Sequence, residues 1–278
     1  MKELSLSIVI VTYQSEKDIG GCLATIPKKE EYEILVIDNA SQDRTTEIVK
    51  VKYPWVRLIR NKKNLGYARA NNQGIKMSRG KYILLLNPDT QLGEGFCEKM
   101  VRFMEENPSV SVLAPKILNP DGSIQHSIRE FPDYQILFWE ITGLSHLFPQ
   151  SPVFGRWRIK YFDYGKIQEV SQPMASALLL RRTVFEAIGF FDEKFPIYYN
   201  DVDFLKRTRD KGLRVIYYPN AEVIHKRGAS TKLFWGRMIF EQHKSLYQYF
   251  KKYKKGKIFY PCFLFSAILR HLFYYLTR

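Results

Sequence analysis

Two aspartates follow apolar stretches that have the composition of buried strands. Asp89 ends the stretch YILLLNPD, in which four consecutive apolar residues stand directly before Asn, Pro and Asp, and Asp38 ends the stretch EILVID. Ligands of open α/β sheets bind at the carboxyl ends of the strands. We therefore expect both carboxylates beside a crevice, with Asp89 at a central position because the strand before it is continuously apolar.

The two aspartates differ in how easily a purely structural role explains them. Asp38 begins DNASQDRT, where Ser41 could cap the next helix, so a turn residue is an alternative interpretation of Asp38. Pro88 stands just before Asp89, and proline stops ladder pairing where a strand leaves the sheet. A carboxylate directly after such a stop is expected to face the crevice.

Two further polar positions come later in the chain. The segment YYNDVDFLKRTRDKG has Asp201 and Asp203 in the first turn of a predicted helix. With Asn200 as the cap, helix capping explains Asp203 but does not require Asp201. His225 follows a predicted strand, where a single histidine is more often incidental than a ligand. Together these groups could supply a divalent-metal site and a general base, which a reaction needs if it breaks a bond to a diphosphate and activates a hydroxyl.

Alternating strands and helices would position these residues. Short runs rich in β-branched and aliphatic residues recur at 7–13, 33–39, 56–61 and 82–87. Helical patterns lie between them, and this alternation predicts βαβ units on a parallel sheet. Later strands are predicted at 111–118, 177–182 and 213–219. A helix over about 94–106 would carry the apolar stripe Phe96, Met100, Phe103 and Met104. We interpret residues 1–232 as one α/β domain.

The composition fits a globular protein of a reducing compartment. The 278 residues are 45% hydrophobic, which is enough for a sizeable core. Cys22, Cys97 and Cys262 lie far apart, which argues against a disulfide framework and a zinc site and suits the cytoplasm. The first residues do not have the pattern of a signal peptide. The formal charge of +15 attracts anions, and nucleic acid, acidic lipids and phosphorylated small molecules all fit this charge.

Residues 233–278 are predicted to form a helical tail. The stretch 251–257 has five lysines in seven residues, and 258–276 is dominated by aromatic and aliphatic residues. Pro261 and Arg270 argue against a helix that spans a membrane. We expect an amphipathic helix that lies on the anionic inner leaflet, with packing on the protein's own core as the alternative.

Eight segments follow one another as they do in family 2 glycosyltransferases. They are SIVIVTYQSEKDI, VIDNASQDRT, NKKNLGYARANNQGI, YILLLNPDT, NPDGSIQHSIREFP, QPMASALLLRRTVFEAIGFFDEKF, YYNDVDFLKRTRDKG and AEVIHKRGAS. Each alone is a weak signal, but eight in this order are specific. The chain most resembles the rhamnosyltransferase-like subgroup, over about residues 5–235. The resemblance implies a GT-A fold, with a mixed, mostly parallel Rossmann-like sheet flanked by helices.

The resemblance also implies roles for individual residues. On the donor side it implies Thr12, Tyr13 and Asp38 in the nucleoside pocket, with Asp38 bonded to the base, and Asn64, Gly66, Asn71 or Asn72, and Asn87 beside the donor. Asp89 would bind Mg²⁺ or Mn²⁺, with His225 close to the metal and the phosphates. Asn87 stands where the family's D-x-D motif has its first carboxylate, so the metal has one anionic ligand fewer. Asp201 matches the family's catalytic base, with Asn200 in place of the usual Glu.

The implied reaction is an inverting sugar transfer. A dication held by Asp89 would stabilise the charge of the leaving diphosphate, while Asp201 takes the proton of the attacking acceptor hydroxyl. The implied partners are a nucleoside diphosphate sugar, a polyprenyl-diphosphate-linked or other cell-envelope glycan acceptor, and the inner face of the cytoplasmic membrane. No nucleic acid is expected as a partner. Rhamnose is favoured as the sugar by the subgroup alone.

Three alternatives compete with sugar transfer. A catalytically silent relative that only binds a nucleotide sugar fits the replacements Asn87 and Asn200. A sugar nucleotidylyltransferase would be expected to carry a glycine-rich loop after its first strand, and IVTYQSEKDIGG lacks one before its helix begins. A nucleic-acid-binding protein fits the charge and the 15% aromatic residues, but no pattern of a nucleic-acid module is present.

Overall fold

A computed structural model describes residues 4–226 and 235–254. The strands within these ranges are β1 (Leu6–Thr12), β2 (Tyr32–Asp38), β3 (Arg57–Arg60), β4 (Tyr82–Leu86), β5 (Thr90–Leu92), β6 (Val110–Leu118), β7 (Ile128–Arg129), β8 (Gln168–Glu169), β9 (Gln172–Pro173), β10 (Ala177–Arg181) and β11 (Arg214–His225). The helices in the same ranges are α1 (Ile19–Ala24), α2 (Thr45–Lys52), α3 (Tyr67–Met77), α4 (Phe96–Glu106), α5 (Tyr134–Ile141), α6 (Leu144–Leu147), α7 (Thr183–Ile188), α8 (Asn200–Asp210) and α9 (Trp235–Tyr253).

One mixed sheet forms the centre of the described protein. Its strand order is β3-β2-β1-β4-β10-β6-β11-β5, and β8 pairs with β11. Strands β1 to β4 are parallel to one another, which confirms the predicted βαβ pattern. Strand β10 runs antiparallel to both β4 and β6. The apolar run ALLL did not predict this reversal. A strand that is buried on both faces is continuously apolar whether it runs parallel or antiparallel to its neighbours.

The carboxyl ends of β1, β4 and β11 lie at one rim of the sheet. Ile10 of β1 lies opposite Leu86 at the end of β4, so the segment 87–89 leaves the sheet beside the last residues of β1. At the other side of the rim, His225 at the end of β11 pairs with Thr90 of β5. This register brings the histidine next to the segment that contains Asp89.

Apolar cores cover both faces of the sheet. Successive side chains of β1 alternate between the two cores, with Val9 in one and Ile8 in the other. Helices α3, α7, α8 and α9 contribute to the first core, and α1, α2 and α4 contribute to the second. Phe96, Met100 and Met104 of α4 are buried and Phe103 packs against them, which confirms the apolar stripe predicted for this helix.

Two predicted helix caps are wrong. Helix α8 begins at Asn200 itself, preceded by Tyr199 with φ 65°, and the Asn200 amide donates to the carbonyl of Ile197. Helix α2 begins at Thr45 rather than after Ser41, whose hydroxyl accepts a hydrogen bond from the Gln14 amide. The Asn200 side chain bonds to the backbone three residues before it, and the Ser41 side chain bonds to the loop after β1, so neither side chain caps its helix.

Helix α9 packs on the same domain. Tyr249 and Phe250 are fully buried in the first core. The carboxylate of Asp203 on α8 accepts a hydrogen bond from the Tyr253 hydroxyl at 2.6 Å and contacts Lys252 Nζ, also at 2.6 Å. Asp203 is therefore a buried ionic link between α8 and α9 rather than a helix cap.

These contacts bear on the predicted boundary between domain and tail. Residues 235–253 belong to the segment predicted as a separate tail, yet they pack on the domain that was predicted to end at residue 232. The stretch 255–278, on which the prediction of membrane contact depended, lies outside the described residues. Among the residues that the structure describes, no helix is both long and apolar enough to cross a bilayer.

Candidate active site

A cavity of about 780 Å³ opens at the rim of the sheet where these strands end. Asp89, Asp201 and His225 all line it, although they are far apart in sequence. Of the other residues predicted for the site, those on the cavity wall are Tyr13, Asn64, Gly66 and Asn87. The walls therefore combine the loop before α3, two carboxylates and an imidazole in one cleft.

Asp89 and His225 form a close pair in this cavity. Oδ1 of Asp89 lies 3.4 Å from Nε2 of His225, and the two side chains are only 12% and 7% exposed. The backbone holds the pair together, because the Lys226 amide donates to the Asp89 carbonyl at 3.0 Å. The pairing of β11 with β5 thus sets the distance between the carboxylate and the imidazole.

Gln125 fixes the orientation of the His225 ring. Its side-chain nitrogen donates to Asn119 Oδ1 at 2.8 Å and to the His225 carbonyl at 3.2 Å. The side-chain oxygen of Gln125 therefore faces Nδ1 of His225, at 2.8 Å, and accepts a hydrogen bond from it. A neutral ring with its proton on Nδ1 presents the lone pair of Nε2 to the cavity and to Asp89.

This arrangement fits a divalent cation between Asp89 and His225. A lone pair and a carboxylate oxygen that face each other at 3.4 Å repel unless a proton or a cation lies between them. Within 4–226 and 235–254, no cluster of three or more His, Cys, Asp or Glu side chains could hold a metal ion. The protein would supply two ligands, which suits Mg²⁺ or Mn²⁺ because such ions take their other ligands from substrate phosphates and water.

Asn87 is held by a tyrosine on α3. The Tyr67 hydroxyl donates to Oδ1 of Asn87 at 3.0 Å. Burial, and then the negative charge of Asp201, raises the pKa of Tyr67, so the hydroxyl keeps its proton and remains a donor. The Asn87 carbonyl also accepts a hydrogen bond from Thr90 Oγ1 at 2.6 Å. The residue at the position of the family's first carboxylate is thus tied into the loop that carries Asp89.

Asp201 stands in the first turn of α8 on another wall of the cavity. Its Oδ1 accepts a hydrogen bond from the Val202 amide at 2.9 Å. Burial raises the pKa of Asp201, since low polarity disfavours the charged form. A carboxylate with a raised pKa is a stronger base than an exposed one, which is the property that a general base requires.

Asp38 and Thr12, which were predicted for a nucleoside pocket, are not among the residues that line the cavity. Asp38 is fully buried, with Oδ1 accepting from Thr12 Oγ1 and Oδ2 from the Ser41 amide, both at 3.1 Å. Thr12 is fully buried as well. The predicted contact of Asp38 with the base therefore has no exposed carboxylate oxygen to make it. Asn39, the next residue, lines the cavity instead, and its amide donates to the Gly66 carbonyl.

The loop before α3 brings backbone to the cavity wall. Gly66 has φ +84°, a conformation that favours glycine, and its amide donates to Asn64 Oδ1 at 2.9 Å. Asn71 and Asn72 are buried and do not line the cavity. Asn71 donates to the Tyr67 carbonyl within α3, and Asn72 exchanges two hydrogen bonds with the Phe191 backbone. The asparagines of α3 thus support the wall from behind.

Comparison with known proteins identifies the family. The pattern of glycosyl transferase family 2 matches residues 7–171. The chain belongs to this family. It is 30% identical to N-acetylglucosaminyl-diphospho-decaprenol L-rhamnosyltransferase of Mycobacterium tuberculosis, over 87% of this chain and 82% of that protein. It is 26% identical to the dTDP-rhamnosyl transferase RfbF of Shigella flexneri, over 79% of this chain and 68% of that one.

Solved structures support the fold. TarS 1-349 of S. aureus aligns with a TM-score of 0.56 and 19% identity, covering 85% of this chain and 65% of that one. GalNAc-T7, solved with UDP, GalNAc and Mn²⁺, aligns with a TM-score of 0.59 and 14% identity, covering 82% of this chain and 45% of that one. The chain therefore spans just under two thirds of the first and less than half of the second. The predicted GT-A fold is confirmed.

Several residues of the site were not predicted from the sequence, and three of them are Gln125, Asn39 and Tyr67. Gln125, Asn39 and Tyr67 each contact a predicted site residue or line the cavity. Gln125 stood inside the segment NPDGSIQHSIREFP, which carried the family resemblance without suggesting a role for this residue. The adjacent polar pair Asp38 and Asn39 at the end of β2 was the available signal for Asn39, because successive side chains at a strand end point to opposite faces.

Proposed function

We propose that this protein is an inverting glycosyltransferase of the hexosyltransferase type. It moves a sugar, with rhamnose as the first candidate, from a nucleoside diphosphate donor to a hydroxyl of a lipid-linked acceptor for cell-envelope polysaccharide. The observation that supports the proposal most is that Asp201 lines one cavity with the pair Asp89 and His225. The family membership and the rhamnosyltransferase relatives support the same reaction.

The donor would bind along the wall formed by the first strands. Tyr13 and Asn39 would contact the nucleoside, and the loop with Asn64 and Gly66 would follow the donor towards the sheet rim. A divalent cation, Mg²⁺ or Mn²⁺, would neutralise the charge that develops on the leaving diphosphate. Asp89 and His225 would hold that cation, and Gln125 would keep the His225 ring in the tautomer that leaves Nε2 free.

Transfer would occur in a single displacement. The acceptor oxygen forms a bond to the anomeric carbon while the bond from that carbon to the diphosphate oxygen breaks, and the electron pair leaves with the diphosphate. Asp201 takes the proton of the acceptor hydroxyl. Attack from the face opposite the leaving group inverts the anomeric centre, through a transition state with oxocarbenium character.

The acceptor and the location are inferred from the relatives and the charge. The name of the mycobacterial relative describes a sugar carried on diphospho-decaprenol, which supports an acceptor of this chemical class here. Such an acceptor lies in the cytoplasmic membrane. We place the protein on its inner face, where basic residues are attracted by anionic lipids, and we interpret residues 233–278 as the segment that ends in a membrane-associating tail.

A transfer assay tests the proposal. Purified protein is incubated with Mn²⁺ or Mg²⁺ and with dTDP-rhamnose, UDP-GlcNAc or other nucleotide sugars, with and without N-acetylglucosaminyl-diphospho-polyprenol. Release of nucleoside diphosphate and of glycosylated lipid are measured. We expect acceptor-dependent release with one donor and a loss of about 10²–10⁴-fold in Asp201→Asn.

Two results would contradict the proposal. Full turnover of Asp201→Asn on the preferred substrate would remove Asp201 as the base. Tight binding of a donor without transfer to any lipid-linked acceptor would favour the silent relative. That alternative rests on the amides at Asn87 and Asn200, where the family commonly has carboxylates.

A further inference from the structure

Seven of the fourteen exposed large apolar side chains among the described residues lie in the segment 134–161. Among the described residues, six large apolar side chains are more than half exposed, and Val51 is one of them. The other five are Phe138, Ile141, Leu147, Phe148 and Val153. We refer to these five residues, with the helices α5 and α6 and the turn after them, as the α5–α6 surface.

Ring contacts connect two of the five exposed residues of the α5–α6 surface, Phe138 and Phe148. Phe138 contacts Trp139 with ring centroids 5.0 Å apart, and Trp139 contacts Phe154 at 4.9 Å. Phe154 in turn contacts Phe148 at 5.5 Å. These contacts fix the exposed rings relative to one another. Single exposed apolar residues are common on proteins, but a connected patch marks an interaction site.

The composition of α5 also points to an apolar partner. Its sequence YQILFWEI is apolar or aromatic at six of eight positions, and only Ile136 is buried in the core. A helix that is apolar on all sides is buried in a stable protein or lies against lipid. One face of helix α5 is therefore exposed in the part of the chain that the structure describes.

The charges around the patch favour an anionic surface. The segment 134–161 contains three arginines or lysines and one glutamate, and the whole chain has a formal charge of +15. Arg156 pairs with Asp133 and Arg158 pairs with Glu140. Lys160 is exposed. Aromatic and aliphatic side chains beside basic ones are the pattern of proteins that lie on anionic bilayers.

The patch adjoins the point where the described chain ends. Tyr134 at the start of α5 contacts Phe250 of α9, with ring centroids 5.1 Å apart, and Lys254 and Asp133 line the same small cavity. The following residues, 255–278, are mostly apolar and aromatic. The start of α5 and the end of α9 thus meet at one edge of the described part of the protein. Helix α9 connects this edge to the cleft, since Met238 lines the cavity about 18 Å along the helix from Phe250.

We infer that the α5–α6 surface is a membrane-docking face, which inserts its exposed apolar side chains into the interface of an anionic bilayer. This surface belongs to the domain itself and acts in addition to any contact made by residues 255–278. It would place the membrane at a fixed position relative to the cleft. Binding to lipid is measured without donor or acceptor, so its failure would leave the proposed sugar transfer untouched.

Vesicle flotation with the full chain tests the inference. Leu147→Glu removes one exposed apolar side chain and adds a charge that anionic lipids repel, and Val51→Glu makes the same kind of change at an equally exposed site on α2. On vesicles of phosphatidylcholine and phosphatidylglycerol we expect about tenfold weaker binding of Leu147→Glu and little change for Val51→Glu. Equal binding of the two variants would overturn the inference.

Amide hydrogen exchange of the unaltered chain gives a second measurement. On the same vesicles we expect slower exchange over 134–154 and no change over 45–56. Slowing that is confined to 255–278 would assign membrane contact to the tail alone and overturn the inference. So would self-association that Leu147→Glu abolishes while vesicle binding stays intact, because the surface would then be an interface between copies of the chain.

Discussion

The two sides of the cleft are held in different ways. Asp89 and His225 stand at the ends of paired strands, and the backbone hydrogen bond from Lys226 to Asp89 sets their separation. Asp201 stands in the first turn of α8, and α9 contributes Met238 and Glu241 to the cavity. The strand-held side has its geometry fixed by the sheet, whereas the helix-held side depends on how α8 and α9 pack on each other.

This difference suggests a division of roles. A metal and diphosphate site needs ligand positions that vary little, which strand ends provide. Helices that meet at a polar junction can form the other wall, which must accept a second substrate. The α8–α9 junction fits this description, because the carboxylate of Asp203 bonds to Arg207, Lys252 and Tyr253 within it. The following predictions distinguish the two sides by which property a substitution lowers, namely transfer and metal affinity or the stability of the fold.

The largest effect is expected on the strand-held side. Asp89→Asn removes the anionic ligand and should lower transfer by about 10²–10³-fold, because the charge of the leaving diphosphate loses its stabilisation. Metal-dependent thermal stabilisation by the nucleoside diphosphate should disappear with it. Glu222→Gln on β11 is the control, since Glu222 is exposed and pairs with Lys116 outside the cavity. Unchanged transfer in Asp89→Asn would remove Asp89 from the metal site.

Gln125 should show a smaller effect with a specific signature. Gln125→Leu removes the acceptor that holds Nδ1 of His225, so the ring loses its fixed tautomer, and we expect about 10–100-fold weaker apparent metal affinity. The measurement is the concentration of Mn²⁺ at half-maximal transfer. Gln125→Glu keeps an acceptor for Nδ1 and should recover part of this affinity. A Gln125→Leu variant that is less stable but has an unchanged metal requirement would show that Gln125 acts only on folding.

Local sequence signals predicted the strand-held side well. The continuously apolar β4 and the proline after it located Asp89, since an apolar run and a ladder stop are readable from a few residues. The family resemblance added His225. Gln125 escaped detection because a single glutamine carries no local signal, and its partner His225 is 100 residues away in sequence.

The helix-held side was less predictable for a related reason. The capping pattern around Asn200 suggested that Asp203 caps the start of a helix, but its partners Lys252 and Tyr253 lie about 50 residues downstream. The apolar residues of α9 were assigned to a separate tail, because a basic and aromatic sequence does not reveal which apolar surface it will cover. Tertiary contacts of this kind are invisible to local propensity.

The pH dependence should report on Asp201. Burial raises its pKa, so kcat/KM should rise with pH until Asp201 is ionised in the folded enzyme. In the unfolded chain the Asp201 carboxyl has its ordinary, lower pKa, so the folded protein binds the proton more tightly than the unfolded chain does. The stability that this proton contributes is lost as the pH rises through the raised pKa of the folded protein.

The same linkage makes a prediction about stability. Asp201→Asn carries no charge at any pH and should therefore unfold at a higher temperature than the unaltered chain at pH 8, on the order of a few degrees. The difference should shrink as the pH is lowered towards the ordinary aspartate pKa. A variant that is less stable than the unaltered chain at pH 8 would show that the ionised carboxylate is stabilised by its surroundings, contrary to the burial that we assign to it.

The smallest effect is expected at the α8–α9 junction, where two neighbouring tyrosines on α9 offer a matched pair. Tyr253→Phe removes a hydrogen bond of 2.6 Å to the buried carboxylate of Asp203 and should lower the free energy of unfolding by about 1–3 kcal/mol. Tyr249→Phe removes a buried hydroxyl that has no hydrogen-bond partner within the described residues, so it should leave stability unchanged or raise it.

Urea unfolding of both variants measures this difference, and transfer rates measured in parallel test whether the junction affects the cleft. If the helix-held wall tolerates small rearrangements, Tyr253→Phe should lose stability while the half-maximal Mn²⁺ concentration stays unchanged, because Asp89 and His225 are positioned by strands. A shift in that concentration would mean that the two sides of the cleft are coupled through α8, and the division of roles between them would fail.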